Sequence, residues 1–176
     1  MPRRKFDGPP CVPSGVTPRS TQEGPKPTRI LLVCSPGGHL LQMLTLEQAW
    51  KEGFERTWVT LPGPDVDHLL SGEEVVLANG PTNRSLKNLL RNLRLAWRTL
   101  RQYDPEVILS TGAALAVPFF LLGKLSGRRL VYVESLTRIE GLSLSGRLVY
   151  PLADVFFVQW PEAVRRKRLR FEGSVL

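Results

Sequence analysis

The chain has 176 residues, a hydrophobic content of 42% and a formal net charge of +8. This length accommodates one domain with a proper core but not two, and the hydrophobic content is that of a globular protein. The positive charge favours an anionic partner, so a nucleic acid, an anionic membrane and a phosphate-bearing substrate all remain open.

Residues 1–28 differ in composition from the rest of the chain. They hold seven of the 15 prolines, and a segment so poor in apolar side chains cannot bury enough surface to fold. The segment also lacks the apolar core of a signal peptide. We therefore predict a disordered tail over 1–28, a folded domain over 29–164 and a basic C-terminal tail over 165–176.

Strand and helix signals alternate along the predicted domain. Short apolar runs before turn residues predict strands, and a period of 3.6 residues predicts helices. In chain order we predict a strand at 29–34, a helix at 40–51, strands at 56–61 and 74–78, a helix at 85–103, a strand at 107–110, a helix at 113–125, and strands at 130–133 and 155–158. Strands separated by helices pair in parallel, so the predicted fold class is α/β with a single Rossmann-like doubly wound parallel sheet.

Polar or glycine-rich segments follow three of these strands. Ser35–His39 follows the first strand, Ser110–Ala113 the fourth, and Glu134-Ser135 the fifth. Ligands of doubly wound sheets bind beyond the carboxyl ends of the strands, and glycine turns before helices favour anions. The candidates for holding an acceptor phosphate are Ser35, Gly37, Gly38, Ser110, Thr111, Gly112, Ser135 and Arg138.

Each segment also has a plainer interpretation. The first is an ordinary strand–helix turn, the second a helix N-cap, and Glu134 can form a structural salt bridge with Arg138. The first segment matches neither the Walker A motif nor the dinucleotide fingerprint, because it has no Gly-Lys-Ser/Thr and no third glycine. This argues against ATP and NAD chemistry.

The long predicted helix carries an apolar and a basic stripe at helical spacing. The plainer interpretation is a core-facing helix with a solvated basic side, and the alternative is attraction to anionic lipid headgroups. The apolar stripe consists of Leu86, Leu89, Leu90, Leu93, Trp97 and Leu100, and the basic stripe of Arg84, Lys87, Arg91, Arg94, Arg98 and Arg101. The candidates for a membrane surface are Lys87, Arg91, Arg94 and Arg98, together with Phe119 and Phe120 of the following apolar run, whose alternative is a buried helix.

The end of the chain combines a basic run with apolar residues. Residues 165–170 are basic except for Leu169, and Phe171, Val175 and Leu176 follow. A basic run near a terminus is usually a solvated tail, and the apolar end suggests a segment that docks onto another protein. Two cysteines, Cys11 and Cys34, provide neither a disulfide framework nor metal-ligand spacing, which suits the cytosol.

Taken in order and spacing, these segments resemble a known family. They are similar to the acceptor-side, membrane-associated subunit of the two-part UDP-N-acetylglucosamine transferase of lipid-linked oligosaccharide synthesis, and to its bacterial relatives in exopolysaccharide and capsule pathways. The resemblance covers residues 29–176. The matching stretches are Ser35–His39, Ser110–Ala113, Val133–Ser135, Ser145–Leu148, Ala153-Asp154 and Gln159–Glu162.

The resemblance implies the N-terminal half of a GT-B glycosyltransferase, with the donor-binding lobe on a separate small subunit. It also implies transfer of a sugar from a UDP-sugar, bound mainly by that partner, to a polyprenyl-pyrophosphate-linked acceptor, at the cytoplasmic face of the membrane. Phe171, Val175 and Leu176 would dock onto the partner. We expect no cofactor other than the UDP-sugar and no metal.

His39 is the first candidate for general base on the acceptor hydroxyl, because the unperturbed histidine pKa lies near working pH. Glu134 is the second candidate. A rival interpretation is a non-catalytic adaptor that recruits a partner glycosyltransferase to the membrane. Nucleic-acid binding is disfavoured, since the chain contains no recognised nucleic-acid module and its basic residues are not interleaved with aromatic ones.

Overall fold

A computed structural model of the chain describes residues 26–82, 85–164 and 166–175. One sheet contains β1 (Thr28–Val33), β2 (Phe54–Thr60), β3 (Val75–Leu77), β4 (Val107–Ser110), β5 (Arg129–Val133), β6 (Val155–Phe157) and β7 (Leu169–Arg170). The helices are α1 (Gly38–Thr45), α2 (Pro64–Leu69), α3 (Leu86–Tyr103), α4 (Ala116–Leu125) and α5 (Leu144–Val149), with 3₁₀ turns at Glu47–Ala49 and Pro161–Ala163. Most of the predicted N-terminal tail, including Cys11, lies outside the described residues.

All neighbouring strands pair in parallel, in the order β3-β2-β1-β4-β5-β6-β7. The predicted doubly wound parallel sheet is therefore confirmed. β1 lies at the centre, where Val33 is in register with Val59 of β2 and with Ser110 of β4. The chain order reverses between β1 and β4, and ligands of such sheets bind in the crevice beyond this switch point.

The core has two layers, one on each face of the sheet. Alternate residues of a strand point to opposite faces, so Leu31 of β1 packs with α3, α4 and α5, whereas Leu32 packs with α1 and α2. Phe119 and Phe120 of α4 are completely buried in the first layer. The prediction that these two rings reach a membrane surface is therefore wrong, and the buried-helix alternative is correct.

The packing of α3 differs from the simple amphipathic pattern. Its buried face includes Asn88 and Asn92, whereas Leu86, Leu90 and Trp97 are exposed at 71%, 61% and 52% of their surface. The two asparagines form hydrogen bonds with the backbone of the loop before α3. Asn92 accepts from Asn79 N at 2.8 Å and donates to Asn79 O at 2.9 Å, and Asn88 donates to Pro81 O. Much of the apolar stripe thus faces outward, contrary to the core-facing interpretation.

The C-terminal region belongs to the sheet. Leu169 is buried and pairs with Phe156 of β6, so the fold extends beyond the predicted boundary at residue 164. The structure also adds α2 and α5, which we did not predict, and ends the first helix at Thr45 instead of Lys51. No helix among the described residues has both the length and the apolarity needed to cross a membrane.

Candidate functional site

The three predicted segments meet around one cavity of about 480 Å³ beyond the carboxyl ends of the central strands. We call it the polar cavity. The loops after β1, β4 and β5 supply most of its walls, and the segments after β2 and β3 add Leu61, Pro81 and Thr82. Its lining residues are Ser35, His39, Leu61, Pro81, Thr82, Ala113, Ala114, Ser135, Thr137, Arg138, Ser143, Leu144 and Ser145.

His39 is fixed by the loop that follows β4. Its Nδ1 lies 2.8 Å from the carbonyl oxygen of Thr111, while Thr111 Oγ1 donates to the carbonyl oxygen of His39 at 2.7 Å. Because a carbonyl oxygen only accepts, Nδ1 carries the proton of the neutral ring and Nε2 keeps its lone pair. The imidazole therefore offers an acceptor nitrogen at the wall of the polar cavity.

Gly112 makes this arrangement possible. Its φ of 122° lies in a region that side chains rarely adopt, and a Cβ there would lie 2.8 Å from His39 Cε1. Only glycine lets the β4 loop approach the imidazole so closely. Ser110 and Thr111 are completely buried, and Ser110 Oγ accepts from Gly112 N at 3.1 Å. Their side chains brace the loop, so the structure contradicts their assignment as direct phosphate ligands.

The glycine turn after β1 already holds an anion. Gly37 N donates to Asp65 Oδ2 at 2.6 Å, across 28 positions of sequence. Asp65 lies in the first turn of α2, where a carboxylate is also favoured by the helix dipole. The Gly37 amide is therefore occupied by the protein itself, contrary to its predicted phosphate contact, and Gly37 and Gly38 are not among the lining residues of the polar cavity.

Glu134 organises the site from inside. Its carboxylate is 1% exposed and accepts from Ser135 N at 3.0 Å, Ser143 N at 3.0 Å and Ser143 Oγ at 3.2 Å. Ser143 in turn caps α5 by accepting from Gly146 N at 2.9 Å. The buried carboxylate cannot reach an acceptor hydroxyl, so its assignment as second-choice base is wrong. Within the described residues it forms no salt bridge with Arg138, which was the alternative.

Arg138 brings a guanidinium group to the polar cavity. Its backbone N donates to Ser135 O at 3.0 Å, and Ser135 Oγ and Thr137 Oγ1 share a hydrogen bond of 3.0 Å. The loop is held further by Gln42, whose Nε2 donates to Glu134 O at 2.8 Å. Sequence reasoning missed Gln42, although a polar residue between Leu40 and Met43, on a buried helix face, is a signal that could have found it.

Two buried titratable groups near the site stay neutral. Burial, reinforced by the charge of Asp65, raises the pKa of the Cys34 thiol to about 12. Burial, reinforced by the charge of Glu134, raises the pKa of the Tyr132 hydroxyl above its ordinary value. Cys34 is thus not a nucleophile at neutral pH, and neither group competes with His39 for the role of base.

A second cavity of about 490 Å³ lies on the face of the sheet that α1 and α2 leave uncovered. We call it the sheet groove. It is lined by apolar side chains from the strands and by the C-terminal segment, where Val175 N donates to Gln159 Oε1 at 3.0 Å. Of the predicted docking residues, Val175 lines the groove. Phe171 is exposed and directly precedes the lining residue Glu172, and Leu176 lies outside the described residues.

The predicted membrane residues of α3 are all exposed. Lys87, Arg91, Arg94 and Arg98 form no ion pair among the described residues, and they lie beside the exposed Leu86, Leu90 and Trp97. We call these seven side chains the exposed face of α3. Arg84, the first residue of the predicted basic stripe, lies outside the described residues.

Comparison with known proteins gives a consistent family. The family model for "Oligosaccharide biosynthesis protein Alg14 like" matches residues 67–175. The UDP-N-acetylglucosamine transferase subunit ALG14 of Eremothecium gossypii is 41% identical over 61% of this chain and 53% of that protein. The subunits of the same name from Debaryomyces hansenii and Schizosaccharomyces pombe are each 30% identical, over 85% and 89% of this chain and 77% and 88% of those proteins. The match with the Eremothecium gossypii protein thus spans about half of that protein's length.

Solved structures share the fold at low sequence identity. MurG of Acinetobacter baumannii superimposes with a TM-score of 0.68 at 17% identity, covering 81% of this chain and 45% of MurG. The glycotransferase of kitacinnamycin gives a TM-score of 0.56 at 17% identity, covering 85% of this chain and 52% of that one. At such identities the likeness concerns the fold alone. The predicted α/β fold class is confirmed, and the chain corresponds to about half of each of these structures.

Proposed function

The chain belongs to the Alg14-like family of oligosaccharide biosynthesis proteins, and from this premise we propose that it is the acceptor-binding, membrane-associated subunit of a two-component glycosyltransferase. The complex moves a sugar from a UDP-sugar to a hydroxyl of a polyprenyl-pyrophosphate-linked glycan. The observation that carries the proposal is the oriented imidazole of His39, in a cavity that Arg138 also lines and that lies at the switch point of half a GT-B fold.

His39 acts as the general base. The acceptor hydroxyl lies against Nε2, which takes its proton while the hydroxyl oxygen attacks the anomeric carbon of the donor sugar. The bond from that carbon to the UDP oxygen breaks, and UDP leaves with the electron pair. Because Nδ1 remains bonded to Thr111 O, the imidazolium that forms is stabilised by an existing hydrogen bond.

The acceptor pyrophosphate binds on the opposite side of the polar cavity from the β1 glycine turn. Asp65 already fills the Gly37 amide, and a second anion there would meet its charge. Arg138 and the turn that leads into α4, which lines the cavity through Ala113 and Ala114 and brings no acidic side chain, remain for the phosphates. A guanidinium and a helix amino end both favour a polyanion.

The exposed face of α3 attaches the subunit peripherally to the cytoplasmic face of a membrane. Its four basic side chains are attracted to anionic headgroups, at about 1 kcal/mol each near the surface. Leucine and tryptophan side chains at the same face add apolar area that enters the interface. The arrangement brings the polar cavity to the lipid-linked acceptor.

The donor-binding subunit docks at the sheet groove. An uncovered apolar sheet face is unfavourable in water and marks an interaction surface. The C-terminal segment forms one wall of the sheet groove. Val175 is positioned to contact a partner that fills the groove. The chain then supplies the acceptor side of a catalytic cleft, and the partner supplies the UDP-sugar.

The proposal is tested by purifying the complex from the native host in mild detergent and measuring transfer from UDP-N-acetylglucosamine, the donor named for the relatives, to a polyprenyl-pyrophosphate-linked sugar. We expect transfer by the complex and none by either subunit alone. Full transfer by a complex that contains the His39→Asn chain would favour the adaptor, in which this chain recruits the enzyme and adds no catalytic group. Transfer by the partner alone would contradict the two-component mechanism.

A further inference from the structure

A third cavity, of about 330 Å³, opens between α3, α4 and α5. We call it the side groove. Thr82 and Ala114 line both this groove and the polar cavity, so the two spaces adjoin across a shared wall. A ligand whose head lies in the polar cavity therefore has the side groove as its immediate neighbour.

The two spaces differ in chemistry. The polar cavity carries His39 and Arg138, whereas the side groove is lined mainly by Leu86, Leu89, Val117, Pro118 and Leu148. Leu86 and Leu148 are more than half exposed, although large apolar side chains are ordinarily buried. A ligand with an anionic head and an apolar chain matches both spaces at once.

The fold holds the leucines of the groove in place. Asn88 Nδ2 donates to Pro81 O at 2.9 Å. The Asn92 side chain accepts from Asn79 N through Oδ1 and donates to Asn79 O through Nδ2. Rotating α3 to bury its leucines would leave these buried amides without partners, which is unfavourable. The exposure of the leucines is thus a consequence of how α3 is anchored.

The side groove borders the exposed face of α3. Leu86 lines the groove and also belongs to that exposed face, which carries the basic side chains of Lys87 and Arg91. Basic side chains at this place attract an anionic membrane surface. A lipid chain that leaves the groove therefore enters the bilayer with which α3 is in contact.

We infer that the side groove binds the first isoprenoid units of the acceptor lipid, next to a pyrophosphate in the polar cavity. This inference rests on the proposed function and adds to it a subsite for the lipid chain. The protein thereby distinguishes a prenyl-linked pyrophosphate from a free pyrophosphate or from a soluble sugar phosphate.

The test is calorimetric titration of the full chain with farnesyl pyrophosphate and, separately, with inorganic pyrophosphate, in detergent-free buffer. Since each buried methylene adds to affinity, we expect farnesyl pyrophosphate to bind at least about tenfold more tightly. Leu148→Gln should abolish most of this advantage and leave the affinity for inorganic pyrophosphate unchanged. Leu77→Gln is the matched control, because Leu77 and Leu148 are both 53% exposed and Leu77 lies on β3, outside the groove.

The outcomes separate the subsite from the proposed function. Equal affinity for the two ligands, or an unchanged farnesyl advantage in Leu148→Gln, would overturn the subsite and leave the anion site intact. A loss of the advantage in Leu77→Gln as well would also overturn it. Failure of both ligands to bind the unmodified chain would instead remove the pyrophosphate site on which the proposed function depends.

Discussion

At the scale of the residue, the state of His39 is set by a neighbour distant in sequence. The carbonyl oxygen of Thr111 fixes the tautomer, and Gly112 leaves room for the ring. The sequence indicates both segments, because each combines a strand end with glycine. It does not show that the side chains of Ser110 and Thr111 are buried, because a serine or threonine can direct its hydroxyl either into the protein or into a cavity.

His39→Asn tests the assignment of the base. Asparagine retains polarity but cannot accept a proton near neutral pH, so we expect kcat/KM of the complex to fall by about 10²- to 10⁴-fold. The measurement is steady-state transfer with the partner present. Ser145→Ala, which changes another lining residue of the polar cavity, serves as the control. A loss in the control as large as that in His39→Asn would mean that the cavity, and not the imidazole, is responsible.

Gly146→Ala tests the buried carboxylate. A Cβ at position 146 would overlap Glu134 Oε2, which cannot move without giving up its bonds from Ser143. We expect the free energy of unfolding to fall by about 2 kcal/mol. Urea denaturation measures it, and Gly141→Ala is the control, because nothing lies within 4 Å of a Cβ there. Similar losses in the two variants would contradict the steric argument.

At the scale of the element, patterns predict long helices and central strands but not their orientation or the short elements. α3 was predicted almost to the residue, and the structure shows that Ser85, predicted as its first residue, is its N-cap. Its apolar stripe nevertheless turns outward, because Asn88 and Asn92 find partners in a loop that the sequence does not place. α2 and α5 have six residues each and β7 has two, too few to display a period.

Charge reversal on α3 tests membrane attachment. Arg91→Glu, Arg94→Glu and Arg98→Glu together should weaken binding to anionic vesicles by at least about 100-fold, at roughly 1 kcal/mol per residue. Co-sedimentation with phosphatidylserine-containing vesicles measures it. The control makes the same change in net charge at the exposed Lys26, Lys51 and Lys167. Equal weakening in both variants would indicate an effect of net charge without a defined surface.

The Glu73 carboxylate, in the segment before β3, links that segment to β2 through hydrogen bonds whose strength depends on pH. Its carboxylate accepts from Arg56 Nη2 at 3.0 Å and from Trp58 Nε1 at 3.1 Å. The bond from Arg56 contributes most to lowering the pKa of Glu73 below its ordinary value, with Trp58 assisting, although partial burial acts in the opposite direction. The link therefore stabilises the fold above the pKa of the unfolded chain, about 4.3.

This stabilisation is lost as the pH falls through the lower pKa of the folded state. We expect the free energy of unfolding to decrease below about pH 4.3 more steeply in the unmodified protein than in Glu73→Gln. Urea titrations at a series of pH values between about 3 and 6 measure the difference. Asp104 and Asp154, whose pKa values are also lowered, are present in both proteins and cancel. Parallel curves would contradict the link.

At the scale of the whole molecule, strand–helix alternation was enough to predict the parallel sheet and the edge at which the polar cavity lies. The sheet groove was not predictable from the sequence. Whether part of a sheet face stays uncovered depends on the face against which each connecting helix packs. The C-terminal segment was predicted as a basic tail with an apolar end, and only the structure shows that it contains a strand and borders that groove.

Deleting residues 171–176 tests the docking surface. The truncated chain keeps β7, so we expect its free energy of unfolding to change by less than about 1 kcal/mol, within the range of surface changes. Recovery of the donor subunit by affinity purification should fall below detection. Val164→Ala, at an exposed side chain that does not line the sheet groove, is the control. Undiminished recovery with the truncated chain would place the docking surface elsewhere.

The pairing of β1 with β4 has a consequence for the order of folding. β1 can pair with β2 as soon as residues 28–60 are available, whereas its other edge must wait for a strand that begins at Val107. Contacts between distant parts of a chain form late, because closing a long loop costs entropy before any contact compensates for it. His39 and Thr111 meet only when this pairing is complete. A nascent chain therefore completes the polar cavity only after β4 has emerged and paired with β1.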